Sequence, residues 1–321
     1  MSKLALAVHG GAGTILRSQM TPALEAEYRS VLAAALRSGW DILESGGSAL
    51  DAVEAAVCSL EDFPLFNAGR GAVFTHEGKV ELDAAIMDGH ALKAGAVTFV
   101  KNIKNPVKLA RLIMERTEHI LLAGEGANQF AEEMGVKTEP DEYFFTEHRW
   151  LQLQEALADG RIQLDHAAEA ETRSAENVSS SVTAKPIGTV GAVACDANGQ
   201  LAAATSTGGM TNKKFGRVGD TAIIGAGTYA DETCAVSCTG HGEFFMLGAT
   251  AYDVAARMKY KGLSLEDAAR ETIERLTQIK GEGGLIAVDS EGNVTLPFNS
   301  DGMYRGQIST DDVSEVAIYA S

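Results

Sequence analysis

Gly188-Thr189-Val190-Gly191-Ala192-Val193-Ala194-Cys195, the turn Asp196-Ala197-Asn198-Gly199, and the return Leu201-Ala202-Ala203-Ala204-Thr205 together decide how this chain folds. Small and β-branched residues alternate over 190–195, Asp, Asn and Gly supply turn chemistry, and 201–205 runs back, so the stretch predicts a β-hairpin. The pattern recurs at 284–288, Asp289-Ser290-Glu291-Gly292 and 294–298. Between the two hairpins, apolar spacing predicts helices over 243–259 and 265–278, the second opened by a capping box of Ser264 and Asp267. Strand hairpins with paired helices point to a layered α/β or α+β body. Few strand–helix–strand alternations are visible, so the sheets are expected to be largely antiparallel.

Outward from there, residues 3–9 read as a buried strand ending at the turn His9-Gly10-Gly11-Ala12-Gly13. A helix over 22–44 follows, with Leu24, Tyr28, Val31, Leu32, Ala35 and Leu36 on one face. Gly46-Gly47 ends it, and Ser48 with Asp51 opens a second helix bearing Leu50, Val53, Ala56, Val57 and Leu60. A loop over 63–74, strands over 79–87 and 95–100, a helix over 106–116 with Asn105 as N-cap, and helices over 127–134 and 146–157 complete this half. The stretch 165–186 contains no aromatic, leucine or isoleucine and reads as a flexible surface linker. It is either a tolerated insertion or slack that becomes a free end after cleavage.

The 321 residues are 45% hydrophobic and 22% charged, enough to bury a sizeable core. A net charge of -17 leaves no broad phosphate-neutralising patch, which argues against nucleic acid or an anionic membrane as partner. The apolar run before His9 is too short for a signal peptide and no membrane-spanning run exists, so a cytoplasmic chain is expected. Four cysteines do not make a disulfide framework. Cys58 and Cys195 read as buried thiols. Cys234, Cys238 and His241 have a zinc-like spacing, but they lack a fourth ligand, and a strand explains the two cysteines; zinc is not expected.

Among hydrolytic solutions, His9-Gly10-Gly11 is similar to an esterase oxyanion loop, yet the chain has no G-x-S-x-G elbow, no H-E-x-x-H and no P-loop. What stands out is Gly188-Thr189, where a core-poor segment meets a strand. A threonine hydroxyl needs an adjacent base, and a chain-terminal threonine carries its own in the α-amino group, which titrates near roughly 7.7–8.0. Gly-Thr alone is equally the start of any strand.

Several further motifs fall in order: Gly188 to Ala194, Thr205-Ser206-Thr207-Gly208-Gly209, Gly216-Arg217-Val218-Gly219-Asp220 and Gly225-Ala226-Gly227. Pro64-Leu65-Phe66-Asn67-Ala68-Gly69 and Leu82-Asp83-Ala84 join His9 to Gly13 in the first half. As a set they resemble the plant-type asparaginases, the isoaspartyl peptidase branch of the N-terminal-nucleophile hydrolases, over nearly the whole chain outside the linker. The resemblance implies a four-layer αββα sandwich, an α+β fold with two largely antiparallel sheets between helical layers. It implies cleavage between Gly188 and Thr189 into chains 1–188 and 189–321, assembled as a dimer of heterodimers. Thr189 would be the nucleophile and Thr207 its tuning hydroxyl. Thr239 and Gly240 would serve the oxyanion, with Gly242 lining the pocket. Arg217 would grip the substrate α-carboxylate and Asp220 the α-ammonium, although these two could instead pair with each other. Asn67 would either join the site or simply support its turn. No catalytic cofactor is implied. A structural sodium or potassium ion is, held by backbone carbonyls of Leu60, Glu61, Phe63, Phe66, Ala68 and Arg70. The implied reaction is hydrolysis of L-asparagine and of isoaspartyl dipeptides, through an aspartyl ester on Thr189. Rival readings are a glycosylasparaginase, a binding protein on an uncleaved hydrolase scaffold, and an esterase without its elbow.

Overall fold

A computed structural model describes residues 3–158, 188–311 and 313–320. The expected linker over 165–186 lies outside the described residues. In chain order the elements are β1 (Ala5–Gly13), α1 (Pro22–Glu44), α2 (Ala49–Glu61), β2 (Leu82–Asp88), β3 (Lys93–Val100), α3 (Pro106–Arg116), β4 (Leu121–Ala123), α4 (Gly124–Glu133), α5 (Asp141–Phe144) and α6 (Glu147–Ala158). Then come β5 (Val190–Cys195), β6 (Leu201–Thr207), β7 (Thr228–Ala230), β8 (Cys234–Gly240), α7 (Gly242–Gly248), α8 (Thr250–Lys261), α9 (Leu265–Gln278), β9 (Gly283–Asp289), β10 (Val294–Thr295), β11 (Gly302–Ser309) and β12 (Ser314–Tyr319).

The strands form an eight-stranded sheet in the order β12-β11-β1-β5-β6-β2-β3-β4 and a four-stranded sheet in the order β10-β9-β8-β7. Alternate residues face opposite ways along a strand, and the burial pattern assigns each face a layer. Leu6, Val8, Ala192, Ala194, Ala202 and Ala204 pack with residues of α1, α2 and α3 outside the large sheet. Val236, Cys238, Leu285 and Ala287 pack with residues of α8 and α9 outside the small one. Ala5, Ala7, Val193, Cys195, Ala203, Ala235 and Ile286 meet between the sheets. The result is the expected αββα sandwich of antiparallel sheets. The exception is β3 and β4, which pair in parallel across the crossover helix α3.

Several local expectations hold. Ser48 and Ser264 cap α2 and α9 through the N–H groups of Asp51 and Asp267, and Thr21, which the sequence reading did not single out, caps α1 by accepting from the Leu24 N–H at 3.2 Å. Others are corrected. Asn105 makes no capping bond on α3; the Glu61 carboxyl, reaching from the end of α2, accepts from the Val107 N–H at 3.1 Å instead. Strand β1 does not end at His9 but continues to Gly13, because an irregularity between His9 and Gly11 and the positive φ of Gly11 let it follow β11. The helix expected over 243–259 is two, broken at Ala249 with φ 46. The first N–H groups of α8 then donate to Ala226 and Gly225, contacts that a continuous helix would forgo.

Candidate active site

The space between the sheets is apolar at one end and polar at the other, and strand alternation produces both. Val193 and Cys195 lie in the apolar part; two and four residues earlier on the same face come Gly191 and Thr189. Ala203 is followed on its face by Thr205 and Thr207, Ala235 by Ser237 and Thr239, and Ala7 by His9. Hydroxyls from three strands therefore converge at one edge of the sandwich.

There the Thr189 hydroxyl donates to Thr207 Oγ1 at 3.1 Å, and the Gly209 N–H donates to the same oxygen at 3.1 Å. A pocket around them is lined by Asn67, Gly188, Thr189, Thr207, Gly209, Met210, Arg217, Gly219, Asp220, Thr221, Thr239 and Gly240. Apart from Gly242 and the expected ion loop, every residue the motifs nominated is brought together here. Thr239 Oγ1 is buried and has no hydrogen-bond partner among the described residues, so its hydroxyl is available to a ligand. Gly240 has φ +148, and a Cβ there would stand 2.3 Å from the Glu282 carbonyl oxygen; only glycine fits. Gly242 acts by leaving space, because a Cβ would lie 2.7 Å from Asp220 Oδ1 and 3.0 Å from Arg217 Nη2. Asn67 does more than support its own turn: its Nδ2 donates to the Gly209 carbonyl at 2.7 Å and its Oδ1 accepts from the Val73 N–H at 3.0 Å, tying two loops together beside Thr207.

Arg217 and Asp220 are not partners in a surface salt bridge. Arg217 instead donates from Nε and Nη2 to the two Glu243 oxygens at 2.9 and 2.8 Å. This side-on fork leaves Nη1 toward Gly219 and the pocket. Burial pushes Glu243 up more than any single contact pulls it down, but the Arg217 hydrogen bonds, the Arg217 charge, a backbone N–H and His241 together hold its carboxyl below the usual range. Asp220 behaves oppositely: burial pushes it up to about 7 despite the nearby Arg217 charge, and its Oδ2 has no partner among the described residues. A buried carboxylate with one oxygen unpartnered, beside a guanidinium, suits a ligand carrying both an ammonium and a carboxylate.

Glu243, Met210, Gly219 and Thr221 were not nominated by the sequence. The one available signal was Glu243 closing the run Thr239-Gly240-His241-Gly242-Glu243. Cys234 and Cys238 face the helical layer, His241 lies beyond the strand beside Glu243, and no metal-holding group of acidic, histidine or cysteine side chains occurs among the described residues. Of the loop that holds Leu60, Glu61, Phe63, Phe66, Ala68 and Arg70, only Asn67 lines the pocket. The loop's backbone packs closely on itself: a Cβ at Gly69 would meet the Glu61 carbonyl oxygen at 2.5 Å, and one at Gly71 the Phe66 carbonyl oxygen at 2.1 Å. The Glu61 carboxyl is fully buried, and that burial pushes it up to about 8.

The sequence profile of the asparaginase family matches residues 2–318. The chain belongs to the asparaginase family. It is 51% identical to the isoaspartyl peptidase of Salmonella typhimurium, with 99% of each chain covered. It is 43% identical to the isoaspartyl peptidase/L-asparaginase of Xenopus laevis, over 99% of this chain and 96% of that one. The plant-type L-asparaginase of Pyrococcus abyssi is 45% identical, over 94% of each. The matched region contains both sheets and the whole threonine-lined edge.

Proposed function

We propose that the chain is an isoaspartyl peptidase and L-asparaginase that activates itself by cleaving the Gly188–Thr189 bond. The carrying observation is the Thr189 hydroxyl, bonded to Thr207 in a pocket that also holds Arg217 and an Asp220 whose Oδ2 has no partner among the described residues. In self-cleavage the Thr189 oxygen bonds to the Gly188 carbonyl carbon, the C–N bond breaks, and the nitrogen takes the proton to become a free α-amine; water then hydrolyses the ester. That amine is the base for turnover. Arg217 binds the substrate α-carboxylate through its free edge and Asp220 binds the α-ammonium, which sets the side-chain carbonyl against Thr189. Thr189 attacks, the Thr239 hydroxyl and Gly240 N–H receive the developing negative charge, and ammonia or an amino acid departs. Water releases aspartate from the ester. Because the clamp engages only the aspartyl part, asparagine and isoaspartyl dipeptides both fit.

The products of cleavage are chains 1–188 and 189–321, which pair and assemble as a dimer of heterodimers in the cytoplasm. Catalysis uses no cofactor. Backbone carbonyls of Leu60, Glu61, Phe63, Phe66, Ala68 and Arg70 would hold a hard monovalent cation, sodium or potassium, as a structural ion. No helix among the described residues is long and apolar enough to cross a membrane.

Denaturing electrophoresis with intact mass tests the reading. Two fragments, one beginning at Thr189, are expected, and Thr189→Ala should remain one chain without turnover. A stable full-length band from the unmutated protein would leave the uncleaved binding scaffold. Parallel assays of asparagine, β-aspartyl-leucine and glycosylated asparagine separate this activity from a glycosylasparaginase.

A further inference from the structure

We infer that His9 is a positioning residue for Thr189, holding the threonine's carbonyl through an imidazole whose tautomer is fixed by a buried chain of hydroxyls. The inference rests on the reading of Thr189 as nucleophile. His9 Nδ1 lies 3.0 Å from the Thr189 carbonyl oxygen, and Nε2 lies 2.8 Å from Ser237 Oγ. Ser237 Oγ is 2.7 Å from Thr205 Oγ1, which is 2.7 Å from Thr228 Oγ1. His9, Thr205, Ser237 and Thr228 are fully buried.

Proton counting leaves one arrangement. Burial holds the imidazole neutral, pushing it down to about 3, so the ring carries a single N–H. A carbonyl can only accept, so that N–H is on Nδ1 and Nε2 must accept. Ser237 then donates to Nε2 and its oxygen must receive the Thr205 proton. Thr205 also lies 3.4 Å from the Gly227 carbonyl, and Thr228 lies 3.1 Å from that of Thr221. Donation to either carbonyl would leave two hydroxyl oxygens 2.7 Å apart with no proton between them. Every dipole in the chain therefore points toward Thr189.

The position needs such a device. Strand β5 begins at Val190, and Thr189 has no partner in the register with β1 or β6. The imidazole supplies the restraint that the ladder does not, fixing the rotation that sets where the Thr189 oxygen and nitrogen lie. The sequence around it makes room: a Cβ at Gly191 would stand 2.0 Å from Ser237 Oγ and 2.4 Å from His9 Nε2.

Two substitutions and one spectrum test this. The amide nitrogen of His9→Asn can reproduce the Nδ1 donor, whereas that of His9→Gln falls near Nε2 and abandons the Thr189 carbonyl. Because small misplacements of a reacting group cost up to about 100-fold, His9→Gln is expected to lower kcat and the self-cleavage rate by about 10–100-fold. His9→Asn should stay within about 5-fold on the same scale, with KM for asparagine little changed in both. Equal loss in the two, or full activity of His9→Gln, would overturn the inference. Nitrogen NMR of histidine-labelled Thr189→Ala protein, which keeps the carbonyl and needs no substitution at His9, reads the tautomer directly. A proton on Nδ1 is expected; one on Nε2 sinks this inference even if both His9 variants misfold. Turnover by Thr189→Ala would instead sink the nucleophile assignment.

Discussion

Asp220→Asn should stabilise the fold while it damages binding. The Asp220 carboxyl, ordinarily near 3.8, is pushed up to about 7 by burial, which corresponds to a penalty of roughly 4 kcal/mol on the native state above neutral pH. The neutral amide escapes that penalty but buries an unpaired N–H group, which costs about 1–3 kcal/mol. The net gain expected at pH 8 is therefore about 1–3 kcal/mol, or an apparent rise in Tm of about 2–4 °C for a chain of this length.

The pH dependence is the sharper signature. Below pH 3.8 the carboxyl is protonated in both folded and unfolded chains and contributes no difference. As pH rises from there to about 7, the unfolded chain ionises it while the native protein keeps its proton, so the unmutated protein steadily loses stability relative to the amide. Above that window the loss is complete. Urea unfolding should be compared in the Thr189→Ala background, where one uncleaved chain unfolds, at pH 8, 6 and 4.5. A gain that does not shrink with acid, or a less stable amide at pH 8, would refute the reasoning. In the cleavage-competent protein the same change should raise KM for asparagine by about 10–150-fold, the worth of a charge-assisted hydrogen bond.

KM of the unmutated protein should rise about tenfold per pH unit below about 7, as Asp220 takes up the proton that bars the substrate ammonium, while kcat falls with acid in its own right as the Thr189 α-amine, titrating near roughly 7.7–8.0, is protonated; steady-state assays from pH 5.5 to 8.5 check this. Glu243→Gln removes the charged half of the Arg217 fork and should raise KM by about 5–30-fold with kcat within about twofold, a split that initial-rate kinetics resolve. A lower KM would show that Glu243 competes with substrate rather than aiming the guanidinium. Gly191→Ala forces a methyl against Ser237 and His9; it should cost about 1–3 kcal/mol in urea unfolding and slow self-cleavage measured by electrophoresis.

What the sequence made legible was local or carried whole in a motif. Ser48 with Asp51, and Ser264 with Asp267, lie within one helical turn of each other, so their caps could be read from spacing alone. Thr189, Thr207, Arg217 and Asp220 sit in three short glycine-bearing runs, and the pocket collects all four. The illegible parts depend on contacts between distant segments. Glu61 caps α3 from 46 residues away, and Glu243 holds Arg217 across 26. Asn105 has the right residue type for a cap, yet its Nδ2 donates to Asp62. The break at Ala249 exists because residues 225 and 226 offer acceptors to α8, which no periodicity within 243–259 could reveal. His9 read as the end of a strand before a glycine turn, and its contact with Thr189 spans 180 residues.

The position of the site follows from how the sheets are filled. Between the sheets the chain uses small side chains, Ala5, Ala7, Ala203 and Ala235, and the same alternation that stacks them delivers His9, Thr205 and Ser237 one step further along three strands. Apolar packing excludes water from that layer, so the polar groups at its edge must satisfy one another, and a chain of single-proton donors does this without a formal charge. Asp220 and Thr239 break the pattern, since each retains a buried oxygen with no partner among the described residues. A fold selected for stability alone would pair or remove those atoms. Both residues line the same pocket as Thr189, so a ligand with an ammonium and a developing oxyanion would repair them, and the cost of leaving them open is recovered only in the bound state.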